Sequence, residues 1–114
     1  TSADPQVQAM AMVLTLQAAG QGGRTLILLC GPAGDLALND APATATIGLP
    51  PKGVSPQGLM QMILDKTNAT IAVCALYLPG KGLDASALLE DVTVADPAEV
   101  AGQLMAVDTR VLSF

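Results

Sequence analysis

Thr70-Ile71-Ala72-Val73-Cys74, followed by Ala75-Leu76-Tyr77-Leu78-Pro79-Gly80-Lys81-Gly82-Leu83, is the stretch that decides the fold of this 114-residue chain. Three of its first five residues are β-branched in a short apolar run, which suits a buried strand. The Pro-Gly-x-Gly punctuation after it predicts a loop. Cys74 therefore stands where a strand hands over to the surface, and in open α/β sheets ligands gather at the carboxyl ends of strands.

Upstream, Thr25-Leu26-Ile27-Leu28-Leu29-Cys30 is a second continuous apolar run, again ending in cysteine. Gly31-Pro32-Ala33-Gly34 breaks it, and a short helix over 35–39 is expected. A helix opens at the chain start, with Ser2 or Asp4 as cap and Pro5 at its first position. Its Val7, Met10, Met12, Val13, Leu14 and Leu16 cover most of the circumference, so burial on more than one side is expected. Residues 40–54, with Pro42, Gly48, Pro50, Pro51 and Gly53, read as a long loop. Ser55-Pro56 opens a helix to about Lys66, burying Leu59, Met62 and Ile63. A short helix over 84–89, a strand at Val92-Thr93-Val94, a helix from Asp96-Pro97-Ala98-Glu99 to about Val107, and a closing strand at Arg110–Phe114 complete the pattern.

Helices alternating with buried strands predict one α/β domain over 1–114. The expected form is a three-layer α/β/α sandwich around a mostly parallel sheet of four to five strands. Such folds usually begin with a strand, whereas this chain opens on a helix cap, so the first strand is expected to precede Thr1.

Composition removes whole classes of mechanism. There is no histidine, so neither a Ser-His-Asp nor a Cys-His nucleophile nor a histidine-held metal is available within the chain. Two cysteines cannot supply a four-cysteine metal or cluster site. The formal net charge of −5 argues against a nucleic-acid surface. No apolar run is long enough for a membrane span. Sparse cysteine and the lack of a visible signal peptide suit a reducing, cytoplasmic setting. Hydrophobic residues make up 51% of the chain and mean hydropathy is +0.50, a surplus over what a small core hides, which points to a homo-oligomer.

Cys74 is thus the leading candidate for chemistry, with Lys81 and loop amides as the groups able to favour its thiolate. Tyr77, Leu78, Gly80 and Gly82 would shape the site. Cys30 and Gly31 come to the same sheet edge if the two strands run parallel, which makes Cys30 a second thiol or a buried spacer. The same residues admit an inert Cys74 in a non-catalytic oligomeric or partner-docking subunit, since cysteine also serves as a small core hydrophobe. The turn Gly31–Gly34 matches neither phosphate-binding fingerprint. Asp35 and Asp40 carry no spacing signal that lifts them above surface carboxylates.

Several segments together resemble the DsrE/DsrF-like family of small sulfur-relay proteins, which includes TusD-type subunits. They are the Thr-Ser-x-Asp-Pro opening, the long Ala/Met/Leu helix, the strand closed by a glycine turn and the strand ending in Cys74. The Lys81-Gly82-Leu83 segment, where relatives often carry Arg-Gly-Leu, and the closing Val107-Asp108-Thr109-Arg110-Val111-Leu112-Ser113-Phe114 extend the likeness over nearly the whole chain. The resemblance implies a five-stranded, mainly parallel sheet whose first strand is interior, and trimers or hexamers. It also implies a cysteine, matched by Cys74, that takes sulfane sulfur from a donor protein as a persulfide and gives it to an acceptor protein. No metal or organic cofactor is implied.

Overall fold

The computed structural model describes residues 1–114. Helix α1 spans Pro5–Gly20, with the Asp4 carboxylate accepting from the Gln6 and Val7 amides at 2.8 and 3.1 Å. Strand β1 (Leu26–Leu29) leads into a 3₁₀ helix at Gly31–Ala37. A single turn, α2 (Ala43–Thr46), interrupts the stretch expected to be loop, and an isolated bridge joins Leu49 to Val54. Helix α3 (Pro56–Lys66) is capped by Ser55, whose hydroxyl accepts from the Gly58 amide at 3.0 Å. Strand β2 (Thr70–Val73), helix α4 (Tyr77–Lys81), a 3₁₀ turn at Ala85–Ala87, strand β3 (Thr93–Val94) and helix α5 (Pro97–Met105) follow.

The sheet is parallel throughout, in the order β1-β2-β3. Leu26 pairs with Thr70 and Leu29 with Val73, so the two apolar runs lie side by side in step. Since side chains alternate along a strand, Ile27, Leu29, Ile71 and Val73 share one face. Met12 of α1 and Met60 and Ile63 of α3 belong to the same buried cluster as Leu29, Ile71 and Val73. Met60 and Ile63 are fully inaccessible, and fully burying a side chain of this size contributes about 1.5–3 kcal/mol. Met60, passed over by the periodicity, is buried more deeply than the half-exposed Leu59 and Met62.

The α/β class is as expected, but the chain forms three strands rather than four or five. Arg110–Phe114 forms no strand: its residues are exposed, and only the Phe114 carbonyl is engaged, accepting from the Thr1 ammonium at 2.7 Å and the Ser2 amide at 3.2 Å. With its one engaged carbonyl spent on the chain start, the segment makes no bond to β3, which pairs only with β2. A second helix layer is not established, although Ala72, the register partner of Leu28, is buried. Helices α1 and α3 pack against each other, while α5 buries none of its residues and Leu28, on the opposite sheet face, is 37% exposed.

Helix α1 is likewise less buried than its composition suggests. Gln8, Met12 and Leu16, four residues apart, form its inner stripe, and Val7, Met10, Val13 and Leu14 remain exposed. No helix is long and apolar enough to cross a membrane.

Candidate functional site at the carboxyl edge of the sheet

Cys30 and Cys74 each follow the last residue of a strand, and those last residues, Leu29 and Val73, are register partners. The Cys74 amide donates to the Leu29 carbonyl at 2.9 Å, so the ladder continues up to the cysteines and fixes their stagger. Both thiols are free and both residues are half-buried, with Cys74 packing against the edge of the core cluster. The Cys30 thiol is harder to ionise than usual, first because it is desolvated and second because the Cys74 thiol lies beside it.

The segment after Cys74 forms a helical turn instead of the expected loop. Pro79 occupies the third position of α4, within the first turn, where an amide proton would have no partner in the helix. Gly82 closes the turn in the left-handed region at φ +67°, which side chains with a Cβ disfavour. The Leu83 amide then donates back to the Leu78 carbonyl at 2.9 Å. Sequence alone weighs Pro and Gly as breakers, yet here they begin and end one short helix.

That turn places Tyr77 and Leu78 inward, each 5% exposed, with Gly80 and Gly82 on the surface. The Tyr77 hydroxyl donates to Asp35 Oδ1 at 2.6 Å, and Lys81 Nζ pairs with the same oxygen at 2.5 Å while standing 5.7 Å from the centre of the tyrosine ring. Asp35 lies in the 3₁₀ helix that follows Cys30, so this clasp ties the segment leaving β1 to the segment leaving β2. Burial raises the Asp35 pKa, but the hydrogen bonds from Lys81 and Tyr77 outweigh it and hold the carboxyl below the usual range. Burial, and then the bond to Asp35, push the Tyr77 phenol well above its ordinary value. A Cβ added at Gly34 would overlap the Tyr77 ring, so a bare backbone is what lets the ring lie against the 3₁₀ helix.

Of the residues singled out by sequence, Cys30, Gly31 and Cys74 meet at one edge of the sheet, and Tyr77, Leu78 and Lys81 follow in the adjoining turn. Lys81 is engaged by Asp35, a partner that the sequence reading left among surface carboxylates. The available signal was positional. Asp35 follows the first strand-ending cysteine by five residues and Lys81 follows the second by seven, so parallel strands bring both to the same edge.

Two surface depressions, one lined by Gln61, Leu64, Asp65, Leu89, Glu90 and Asp91 and the other by Val107–Arg110, include neither cysteine. No protein-family model, curated protein or solved structure matches this chain.

Proposed function

We propose that the protein is a sulfur carrier, a sulfurtransferase-like member of a sulfur relay, working on Cys74. The Cys74 thiolate attacks the outer sulfur of a donor persulfide. A new sulfur–sulfur bond forms, the donor's own sulfur–sulfur bond breaks, and the donor leaves as a thiolate. The persulfide on Cys74 then yields its outer sulfur to an acceptor thiolate by the same exchange. The observation that carries this reading is the pair of free, half-buried thiols at the carboxyl edge of adjacent parallel strands. The DsrE-like resemblance of the segments around Cys74 and Lys81 supports it. No metal or organic cofactor enters the chemistry.

On the same reading the working form is a cytoplasmic homo-oligomer, a trimer or hexamer, meeting donor and acceptor proteins. The full architecture then carries the additional strands and second helix layer that the resemblance implies. The exposed apolar face of α1 supports self-association.

Intact mass after incubation with a sulfane-sulfur donor tests the function. The protein should gain about 32 Da, one sulfur atom, and Cys74→Ser should not. An adduct that persists in Cys74→Ser overturns the assignment. The rival reading, a docking subunit with an inert thiol, predicts that Cys74 reacts with a thiol reagent only after unfolding.

A further inference from the structure

We propose that Cys30 is the resolving thiol of this site, discharging a Cys74 persulfide by closing a Cys30–Cys74 disulfide and releasing sulfide. The inference rests on the persulfide reading of Cys74 and adds an exit route to it.

The geometry starts from the register. Leu29 is paired to Val73, and Cys30 and Cys74 each follow directly after that last pair of the parallel ladder. Adjacent strands lie about 4.8 Å apart, and disulfides join Cα atoms about 4.4–6.8 Å apart. The Cys74 amide bond to the Leu29 carbonyl holds this alignment up to the cysteines themselves. Both residues sit just outside regular structure. Gly31, at φ +57°, turns the chain away after Cys30, and two residues separate Cys74 from α4, so a small backbone adjustment is available on each side. Neither thiol is bonded already. Because burial and the neighbouring Cys74 suppress Cys30 ionisation, the step should quicken as pH rises and more of Cys30 becomes thiolate.

In the step itself, the Cys30 sulfur gives up its proton and attacks the inner sulfur, Cys74 Sγ. The Sγ–S bond of the persulfide breaks, and the outer sulfur leaves with the bonding pair as hydrosulfide. The Cys30 sulfur is oxidised from thiol to disulfide, and the departing sulfur is reduced from sulfane to sulfide, so no outside oxidant is needed. Return to the dithiol requires an external dithiol, which reduces the disulfide by two exchanges. An acceptor thiolate competes by attacking the outer sulfur, so Cys30 empties the carrier only when no acceptor takes the sulfur first.

The test loads wild type, Cys30→Ser, Cys30→Ala and Cys74→Ser with inorganic polysulfide. After excess donor is removed, non-reducing intact mass and released sulfide are followed over time. Cys30→Ser and Cys30→Ala should retain the adduct of about 32 Da. They should also release sulfide roughly a hundredfold more slowly than wild type, as expected when an intramolecular partner is lost. Wild type should pass to a species about 2 Da lighter than the reduced protein, with a Cys30–Cys74 linked peptide on mapping, and dithiothreitol should reverse it. Wild type that keeps its adduct as long as the Cys30 variants, with no linked peptide, overturns the inference and leaves the carrier reading standing. Failure of every Cys74-containing protein to take up sulfur overturns both. Because the linked peptide is sought in wild type, the outcome does not depend on the folding of any variant.

Discussion

Removing the Tyr77 hydroxyl deletes a 2.6 Å bond to a carboxylate from a residue that is 5% exposed, whereas removing Lys81 deletes an ion pair whose lysine side chain is 43% exposed. A buried hydrogen bond to a charged group outweighs a solvated ion pair, so the two changes should differ. Tyr77→Phe should cost about 1–2 kcal/mol in urea unfolding. Lys81→Met should cost about 1 kcal/mol or less. Gly34→Ala should cost about 1–3 kcal/mol, because its methyl must displace the Tyr77 ring.

Asp35 also gives stability a pH dependence at residue scale. Its folded pKa lies below the ordinary aspartate value, so the stabilisation is complete above the unfolded value and is lost as pH falls through the folded one. Stability measured from pH 6 downward should therefore decline below about pH 4, and Asp35→Asn should flatten part of that decline. Tyr77 behaves oppositely: its folded pKa is raised, so its contribution is complete below about pH 10 and is lost as pH rises further.

At the scale of elements, burial separates strand β2 from helix α5. Three of the four β2 residues are buried, and the strand is bonded on both sides, to β1 and β3. Helix α5 has its Asp96 cap but no buried residue. Amide exchange should place β2 near the global unfolding free energy and α5 far below it, and equal protection in the two would contradict this packing. Thr25, at the start of β1, leaves its hydroxyl buried without a partner, so Thr25→Val should stabilise by about 1 kcal/mol in denaturant unfolding. Element boundaries were legible wherever a local chemical signal marks them. Ser55-Pro56 opens α3, Asp96-Pro97 opens α5, and the apolar runs ending at the cysteines are β1 and β2. Where the outcome depends on a distant partner, sequence misled. Arg110–Phe114 has strand composition but finds no ladder, and Pro79 and Gly82 act as the start and cap of a turn instead of breakers.

For the whole molecule, the parallel pairing was legible because two strand-like apolar runs flank a helix, which demands a crossover and hence parallel strands. The meeting of Cys30 and Cys74 follows from that pairing. The Asp35 clasp had no local signature, since its carboxylate, phenol and ammonium lie far apart in sequence, and only its position after the paired strands pointed to it. The extent of helix coverage was not legible either. Val7, Met10, Val13 and Leu14 read as core but lie open on α1. If that face joins copies of the chain, sedimentation should give a mass that is a multiple of 11.5 kDa, and Met10→Lys with Leu14→Lys should return it to the monomer value.

Asp35, carried on the chain leaving the first cysteine-tipped strand, grips through a single oxygen atom two side chains of the turn that leaves the second. It thus holds the two segments that leave the cysteine-tipped strands at a fixed spacing, although it belongs to neither strand. Only acid strong enough to protonate Asp35, below about pH 4, would slacken that grip, so near neutral pH the spacing of the two strand tips stays set by the clasp and the ladder together.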